Sequence, residues 1–338
     1  MNSYQRMMKA LNSGKPDCVP VKTSDWNWVA NQSGYTIKEA MESVEKHVFA
    51  QYNCALKYGY DNVSDLSGIH AESEAMGCKL KLRKDASPSV KENILKDYSE
   101  DLKRLKIISP YKDGRLPVIL EGVRKLKELS KNEIPVCAYI QAPFRNAAML
   151  RGDNIYRDII KNEDKLHKLM EITKLTQIVY GLALVHAGAD VLTISDPTSS
   201  GDALSREHWL KFGYKYSKEV IKELKKTNVK IILHICGDTS DRLDTFTTLG
   251  IDAMSLDQKV DLGYAREVMG DEICIMGNVS PYNLLYSSPE EIREESKKCI
   301  EKAGKDGNFI LAPGCGISEK VPAENIKAMV EIAHNYTY

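Results

Sequence analysis

The sequence predicts an α/β fold, a (β/α)8 TIM barrel with an N-terminal helical extension, and three observations predict it. First, short apolar runs rich in β-branched residues recur at 134–140, 190–195, 229–233, 251–256, 273–276 and 309–312, and two earlier runs at 18–23 and 61–67 make eight. Second, amphipathic stretches of helical period, such as 165–187 and 206–226, separate them. Near-continuous apolar strands alternating with helices mean parallel strands covered by helices. Third, the polar and ligand-like residues gather at the ends of the runs, where a barrel of this kind carries its C-terminal rim. An open doubly wound sheet is the competing arrangement, but no Gly-x-Gly-x-x-Gly follows the first run. The whole of 1–338 reads as a single domain.

Taken in order, 3–11 is a short helix closed by Asn12-Ser13-Gly14-Lys15-Pro16. The first strand, 18–23, ends near Asp25, Trp26 and Trp28, which are placed in a loop. A long helix over 38–58 leads to the second strand. Residues 71–80 suggest a turn and a short strand, and the charged stretch 87–104 is placed outside the main core. From 134 the strands carry distinctive residues at their ends: Gln141, Asp196, then His234 with Cys236, then Asp257, Asn278 and Cys315. Asp25 and Asp65 end the first two. His208 falls in the first turn of a helix capped by Ser205.

Composition narrows the function classes. The 47 basic and 47 acidic side chains balance to zero formal charge and are well mixed, which argues against nucleic acid as a partner. No stretch approaches the roughly 20 apolar residues of a membrane span. The polar start, Met1-Asn2-Ser3-Tyr4-Gln5-Arg6, has no apolar signal core behind it. The eight cysteines lack the dense spacing of a secreted disulfide framework. These features point to a reducing cytoplasm and to cysteines held as free thiols.

The strand 229–233 runs into His234-Ile235-Cys236-Gly237. Alternate strand residues face one side, so the imidazole and thiol point the same way. Such a pair grips a borderline metal from two points. Cys315, in Ala312-Pro313-Gly314-Cys315-Gly316, is the other cysteine set in a glycine-flanked loop after a strand. His234, Cys236 and Cys315 together make a His/Cys/Cys zinc site with one position open for chemistry. Taken singly, each is as well read as a buried core residue; the three at strand ends beside glycine carry the metal reading.

Three motifs in this order, His234-Ile235-Cys236-Gly237, Met276-Gly277-Asn278-Val279-Ser280 and Leu311-Ala312-Pro313-Gly314-Cys315-Gly316-Ile317, resemble those of the zinc-dependent corrinoid methyltransferases of the uroporphyrinogen decarboxylase superfamily. Ala142-Pro143-Phe144 resembles the Gly-Pro-Phe loop of that family, and Thr193-Ile194-Ser195-Asp196-Pro197 its fourth-strand motif. The likeness runs over nearly the whole chain. It implies a (β/α)8 barrel, zinc on His234, Cys236 and Cys315, and methyl exchange with a cobalt corrinoid on a separate protein. The small partner is then either a methylated substrate or a thiol acceptor. Ser24-Asp25-Trp26-Asn27-Trp28 stands where the decarboxylases carry an arginine-rich motif, which argues against decarboxylation. Gln141-Ala142-Pro143-Phe144-Arg145 and the Trp-rich first loop depart from the branch that methylates coenzyme M. They turn the reading toward an O-methyl donor such as a methoxylated aromatic, with methyl transfer from methylcorrinoid to coenzyme M as the alternative.

Further candidates follow from position. Asp257 is a fourth ligand, or else an acceptor beside the metal ligands or a helix N-cap, and Glu72 is a weaker ligand candidate with a plain loop carboxylate as its competing role. Asp196 orients His234 through its other ring nitrogen, binds substrate, or closes an Asx-type turn. Asn278 donates to corrinoid or substrate, or holds a turn. Trp26, Trp28, Tyr139, Phe144 and Met149 are candidates for a pocket lining, with barrel-core packing as the competing role. Arg145 and Arg151 are candidate partners for an anionic group. His70 can face the rim.

Overall fold

The computed structural model describes residues 1–338 apart from Ser24, 66–68, Asp85 and Thr337. Nine strands occur among the described residues: β1 (Val63–Ser64), β2 (Lys79–Lys81), β3 (Ser89–Glu92), β4 (Val136–Gln141), β5 (Val191–Ser195), β6 (Lys230–Ile235), β7 (Ala253–Leu256), β8 (Cys274–Val279) and β9 (Phe309–Pro313). Seven form one curled parallel sheet in the order β1-β4-β5-β6-β7-β8-β9, while β2 and β3 pair as a separate antiparallel hairpin. The six later runs of the sequence therefore become neighbouring parallel strands in chain order.

The expected first strand, 18–23, is not a strand of this sheet. It is reduced to one parallel bridge, Val21 to Leu311. Around it the Lys22 amide donates to Leu311 O at 2.9 Å, the Leu311 amide to Pro20 O at 2.9 Å, and the Asp61 amide to Val21 O at 2.8 Å. Pro20 has no amide hydrogen to extend the ladder. The second run contributes only Val63 and Ser64, and its residues 66–67 lie outside the described residues.

Strand parity sorts the core. One parity of β4 to β9 (Cys137, Val191, Ile232, Ala253, Cys274, Ile310) packs inside the curl against Met7, Ala10 and Leu11 from the N-terminal helix Ser3–Ala10 and the residue after it. That helix closes the inner face at the strands' N-terminal end. Each of its two large apolar side chains contributes about 1.5–3 kcal/mol by leaving water. Two residues further along the same strands the inward positions turn polar or open: Tyr139, Thr193, His234 and Ser255 line a cavity instead of a core. The other parity, including Ile140, Ile194, Leu233, Leu256, Ile275 and Leu311, packs outward under the helices. Parallel strands are apolar on both faces along most of their length for this reason.

The helical layer differs from the expectation in three places. Trp26 and Trp28 lie on a helix, Trp26–Gln32, capped by Asp25, whose carboxylate accepts from the Asn27 and Trp28 amides at 3.0 and 3.4 Å. The expected helix 38–58 is two, Ile37–Glu42 and Val44–Tyr58, because Ser43 is extended and its hydroxyl accepts the Lys46 amide to start the second. The stretch 87–104 is not wholly outside the core: Leu95 and Tyr98 are buried, and the Arg151 guanidinium lies over the Tyr98 ring at 4.8 Å. The helices Glu163–Ala187 and Lys215–Leu224 cover β4 to β6 as the sequence suggested. No helix among the described residues is long and apolar enough to cross a membrane.

Candidate metal centre

The last inward residue of β6 is His234, and the chain leaves the strand through Cys236 and Gly237. Gly237 has φ +85°, and a Cβ there would meet Asp202 Oδ2 at 2.5 Å and Ser200 Oγ at 2.6 Å, so only glycine makes this turn. Cys315 arrives from β9 through Gly314, where a Cβ would meet the Gln258 amide nitrogen at 2.6 Å. The two loops meet over the inner end of the sheet. His234 Nε2 is 2.9 Å from Cys236 Sγ, and Cys236 Sγ is 2.8 Å from Cys315 Sγ. All three donor atoms lie within 4.8 Å of one another, the only such group of three or more His, Cys, Asp and Glu among the described residues. The other six cysteines are free and buried.

The sulfurs are electrostatically coupled. Their hydrogen bond pulls the Cys315 thiol down, helped by His234 beside it, and pushes the Cys236 thiol up, reinforced by burial. The pair thus sheds one proton readily and holds the second between two sulfurs. A cation in contact with both would take that proton's place. One imidazole nitrogen and two half-buried thiols are a donor set that suits zinc. The other ring nitrogen, Nδ1, meets Ser255 Oγ at 3.0 Å, which orients the ring and leaves Nε2 facing the sulfurs.

The structure redistributes the remaining candidates. The Asp196 carboxylate does not orient the His234 ring; only its backbone amide meets His234, donating to the carbonyl at 2.9 Å. It is fully buried, and its oxygens accept from Thr198 Oγ1 at 2.7 Å and Ser199 Oγ at 2.6 Å, closing the Asx-type turn after β5. The orienting role falls to Ser255, which β7 places directly opposite His234. Asp257 is not among the grouped donors. Its Oδ2 accepts the Gly237 amide at 2.9 Å and its Oδ1 the Lys259 amide at 3.0 Å, so it ties down the Cys236 loop. Asn278 is buried away from the cavity and donates to the backbone carbonyls of Asp257 and Val260 at 2.9 and 2.8 Å, bracing the loop that leaves β7. Glu72 is buried behind β4, accepting the Gln141 amide at 2.7 Å, and burial raises its carboxyl to about 7.

The cavity has a volume of about 330 Å³ and opens beside the three donors. Trp26, Tyr139 and Arg145 line it, as does His70. Trp28, Phe144 and Met149 do not. Trp28 is fully buried with its indole N–H donating to Val321 O at 2.9 Å, and Phe144 is fully buried against Tyr156 and Phe212. On a helix, Trp26 and Trp28 point to different sides, whereas a loop would let both turn inward. Arg151 is structural: it pairs with Asp158 at 2.6 Å and caps the carbonyls of Leu95 and Lys96. Sequence reasoning missed Ser255, which only the β6–β7 register singles out.

The sequence of this chain matches uroporphyrinogen decarboxylase (URO-D) over residues 2–336. The chain belongs to the uroporphyrinogen decarboxylase family. Within the family it is similar to proteins named as methyltransferases. It is 31% identical to the methylcobamide:CoM methyltransferase MtbA of Methanosarcina acetivorans, over 99% of this chain and 98% of that one. It is 28% identical to the methylcobamide:CoM methyltransferase MtaA of Methanosarcina barkeri, over 98% and 97%. Among solved structures, a methyltransferase from Methanosarcina mazei superposes with a TM-score of 0.90 at 28% identity, covering 98% of both chains. The motif resemblance and these full-length likenesses agree, and both place the URO-D fold here in methyltransferase company.

Proposed function

We propose that this chain exchanges a methyl group between the cobalt of a corrinoid carried by a separate protein and a small thiol, using a zinc ion held by His234, Cys236 and Cys315. We take the scaffold as one domain of the (β/α)8 type, closed beside β9 by the segment 18–23 through the Val21–Leu311 bridge. The observation that carries the reading is the convergence of one imidazole nitrogen and two sulfurs within 4.8 Å at the mouth of a cavity, in a chain alike end to end with methylcobamide:CoM methyltransferases.

Bound there, zinc would lower the pKa of a substrate thiol from about 8.5 and hold it as the stronger nucleophile at neutral pH. The chain's own residues prepare that site. Ser255 fixes the His234 ring, Asp257 fixes the Gly237 turn, and Trp26 and Tyr139 give the cavity aromatic walls. The Cys236–Cys315 pair would give up its shared proton to an ion held between the sulfurs. The O-methyl donor anticipated from the Trp-rich segment has less support. Of the aromatics put forward for its pocket, only Trp26 and Tyr139 reach the cavity, and the similar proteins carry coenzyme M in their names.

The test is to supply zinc-loaded protein with methylcobalamin or a methylated corrinoid protein and 2-mercaptoethanesulfonate, following the corrinoid spectrum and the thioether formed. We expect thiol-dependent demethylation of the corrinoid, lost in His234→Ala. Transfer from methoxyarenes to reduced corrinoid, with no methylation of any thiol, would overturn the reading in favour of ether cleavage.

A further inference from the structure

Each sulfur of the donor group stands in a loop that a carboxylate from elsewhere on the rim holds. For Cys236 that carboxylate is Asp257, on the Gly237 amide. For Cys315 it is Asp25, which the zinc chemistry above leaves without a role. Asp25 Oδ2 accepts the Ile317 amide at 2.9 Å, two residues beyond Cys315 and 292 residues along the chain. Its Oδ1 accepts the Asn27 and Trp28 amides at 3.0 and 3.4 Å and caps the helix Trp26–Gln32. One side chain therefore joins the cavity wall that Trp26 lines to the loop that carries the second sulfur.

The surroundings are shaped for that contact. Asp25, Cys315, Gly316 and Ile317 all line the cavity. A Cβ on Gly316 would stand 3.2 Å from Asp25 Oδ2, so the glycine lets the loop come in close to the oxygen. The segment 18–23, which leads to Asp25, meets β9 through the Val21–Leu311 bridge, and the Lys22 amide donates to Leu311 O at 2.9 Å. β9 in turn leads to Cys315. Asp25 thus ties the two segments a second time, past the point where their backbones stop pairing. Desolvation raises its carboxyl to about 6, against the Ile317, Trp28 and Asn27 amides, which pull it down. It is an anion at neutral pH, and a charged acceptor holds an amide more strongly than a neutral one does.

We infer that Asp25 is the positioning residue for Cys315: its tether to the Ile317 amide sets that sulfur against Cys236 and His234, and its cap on the tryptophan-bearing helix joins the cavity wall to the metal loop. The inference rests on the zinc reading above and adds the group that fixes the third donor. Asp25 is not one of the grouped donors and acts through the loop. Without the tether Cys315 is still a donor, but its loop loses freedom only when the ion binds, and that ordering is subtracted from the affinity.

The test uses metal-free and metal-loaded protein and needs no turnover. The variant is Asp25→Ser, because serine still caps a helix but is too short to reach the Ile317 amide as well. In metal-free protein, hydrogen exchange at Ile317 should quicken about ten-fold or more, while exchange at Gly237, held by Asp257, stays native. By chelator competition the variant should hold zinc about 10–100-fold more weakly at native stoichiometry. Loaded with cobalt(II) in place of zinc, it should show a shifted sulfur-to-metal charge-transfer band, which a merely less stable fold would not move. If Asp25→Ser is unfolded by circular dichroism, Asp25→Asn carries the comparison, since its side chain keeps a single acceptor for the two roles. Native exchange at Ile317, or native zinc affinity and cobalt spectrum in the variant, overturns the assignment, as does equal loosening at Ile317 and Gly237. A native protein that binds no zinc counts against the metal reading alone, and faster exchange confined to Ile317 then still supports the tether.

Discussion

Asp257 Oδ2 accepts the Gly237 amide at 2.9 Å, one residue beyond Cys236. A carboxylate that could have been a ligand is spent instead on holding a ligand's loop. Removing it in Asp257→Ala leaves the Gly237 and Lys259 amides without their acceptor. Loss of such an outer partner typically weakens metal binding about 10–100-fold. We expect that loss by chelator competition, with about one zinc per chain still bound at saturation. A complete loss of stoichiometric zinc would make Asp257 a direct ligand.

The three donors should differ from Asp257 in kind. His234→Ala or Cys315→Ala leaves two protein ligands, one fewer than the three that a zinc site with an open position keeps. Metal analysis of the dialysed proteins should find about one zinc per chain in the native protein and almost none in either variant. Both variants should keep the native far-UV circular dichroism, because the donors lie at the mouth of the cavity and outside the apolar core.

Arg242 is a structural keystone of the rim. It is fully buried and donates to Ser199 O at 2.8 Å and Leu204 O at 2.7 Å, joining the β5 loop to the β6 loop. Arg242→Ala strands both carbonyls in a buried setting, at about 1–3 kcal/mol each. A loss of roughly 3 kcal/mol in urea unfolding is expected, and a loss below 1 kcal/mol would show that water replaces the guanidinium.

Two buried titratable groups give opposite pH dependence. His47 is buried with Nε2 donating to Ser64 O at 2.9 Å, and burial lowers it to about 4. Unfolding lets it take up a proton near its ordinary 6.5, so its contribution is present above that value and is lost as pH falls toward 4. Glu72, raised to about 7, behaves inversely: its contribution is present below about 4.5 and is lost as pH rises through 7. Measured between pH 4.5 and 8, His47→Gln should gain on the native protein toward acid and Glu72→Gln should gain toward base, each by up to about 3 kcal/mol. A pH-independent difference for either variant would remove that group as a source.

The six later strands were legible because a parallel strand under helices must be apolar on both faces, and each such run stood between amphipathic stretches. The run 18–23 had the same composition, but Pro20 interrupts the ladder and a single bridge remains. The helix Trp26–Gln32 is not legible from its two tryptophans, because its start is fixed by the Asp25 cap rather than by an apolar period. Asp196, Asp257 and Asn278 were rightly placed near strand ends, yet end position does not say whether a side chain turns to the cavity or back to the backbone.

By itself the sequence determined the alternation of strands and helices and the three donors, since parity, apolar runs and glycine-flanked loops are local properties. Only the tertiary structure decided which groups touch. The register between β6 and β7 sets Ser255 against His234, and the curl of the sheet brings Cys315 to Cys236 across 79 residues of chain. Those contacts depend on how strands pair and how loops fold back, and no periodicity along one strand records its neighbour's position.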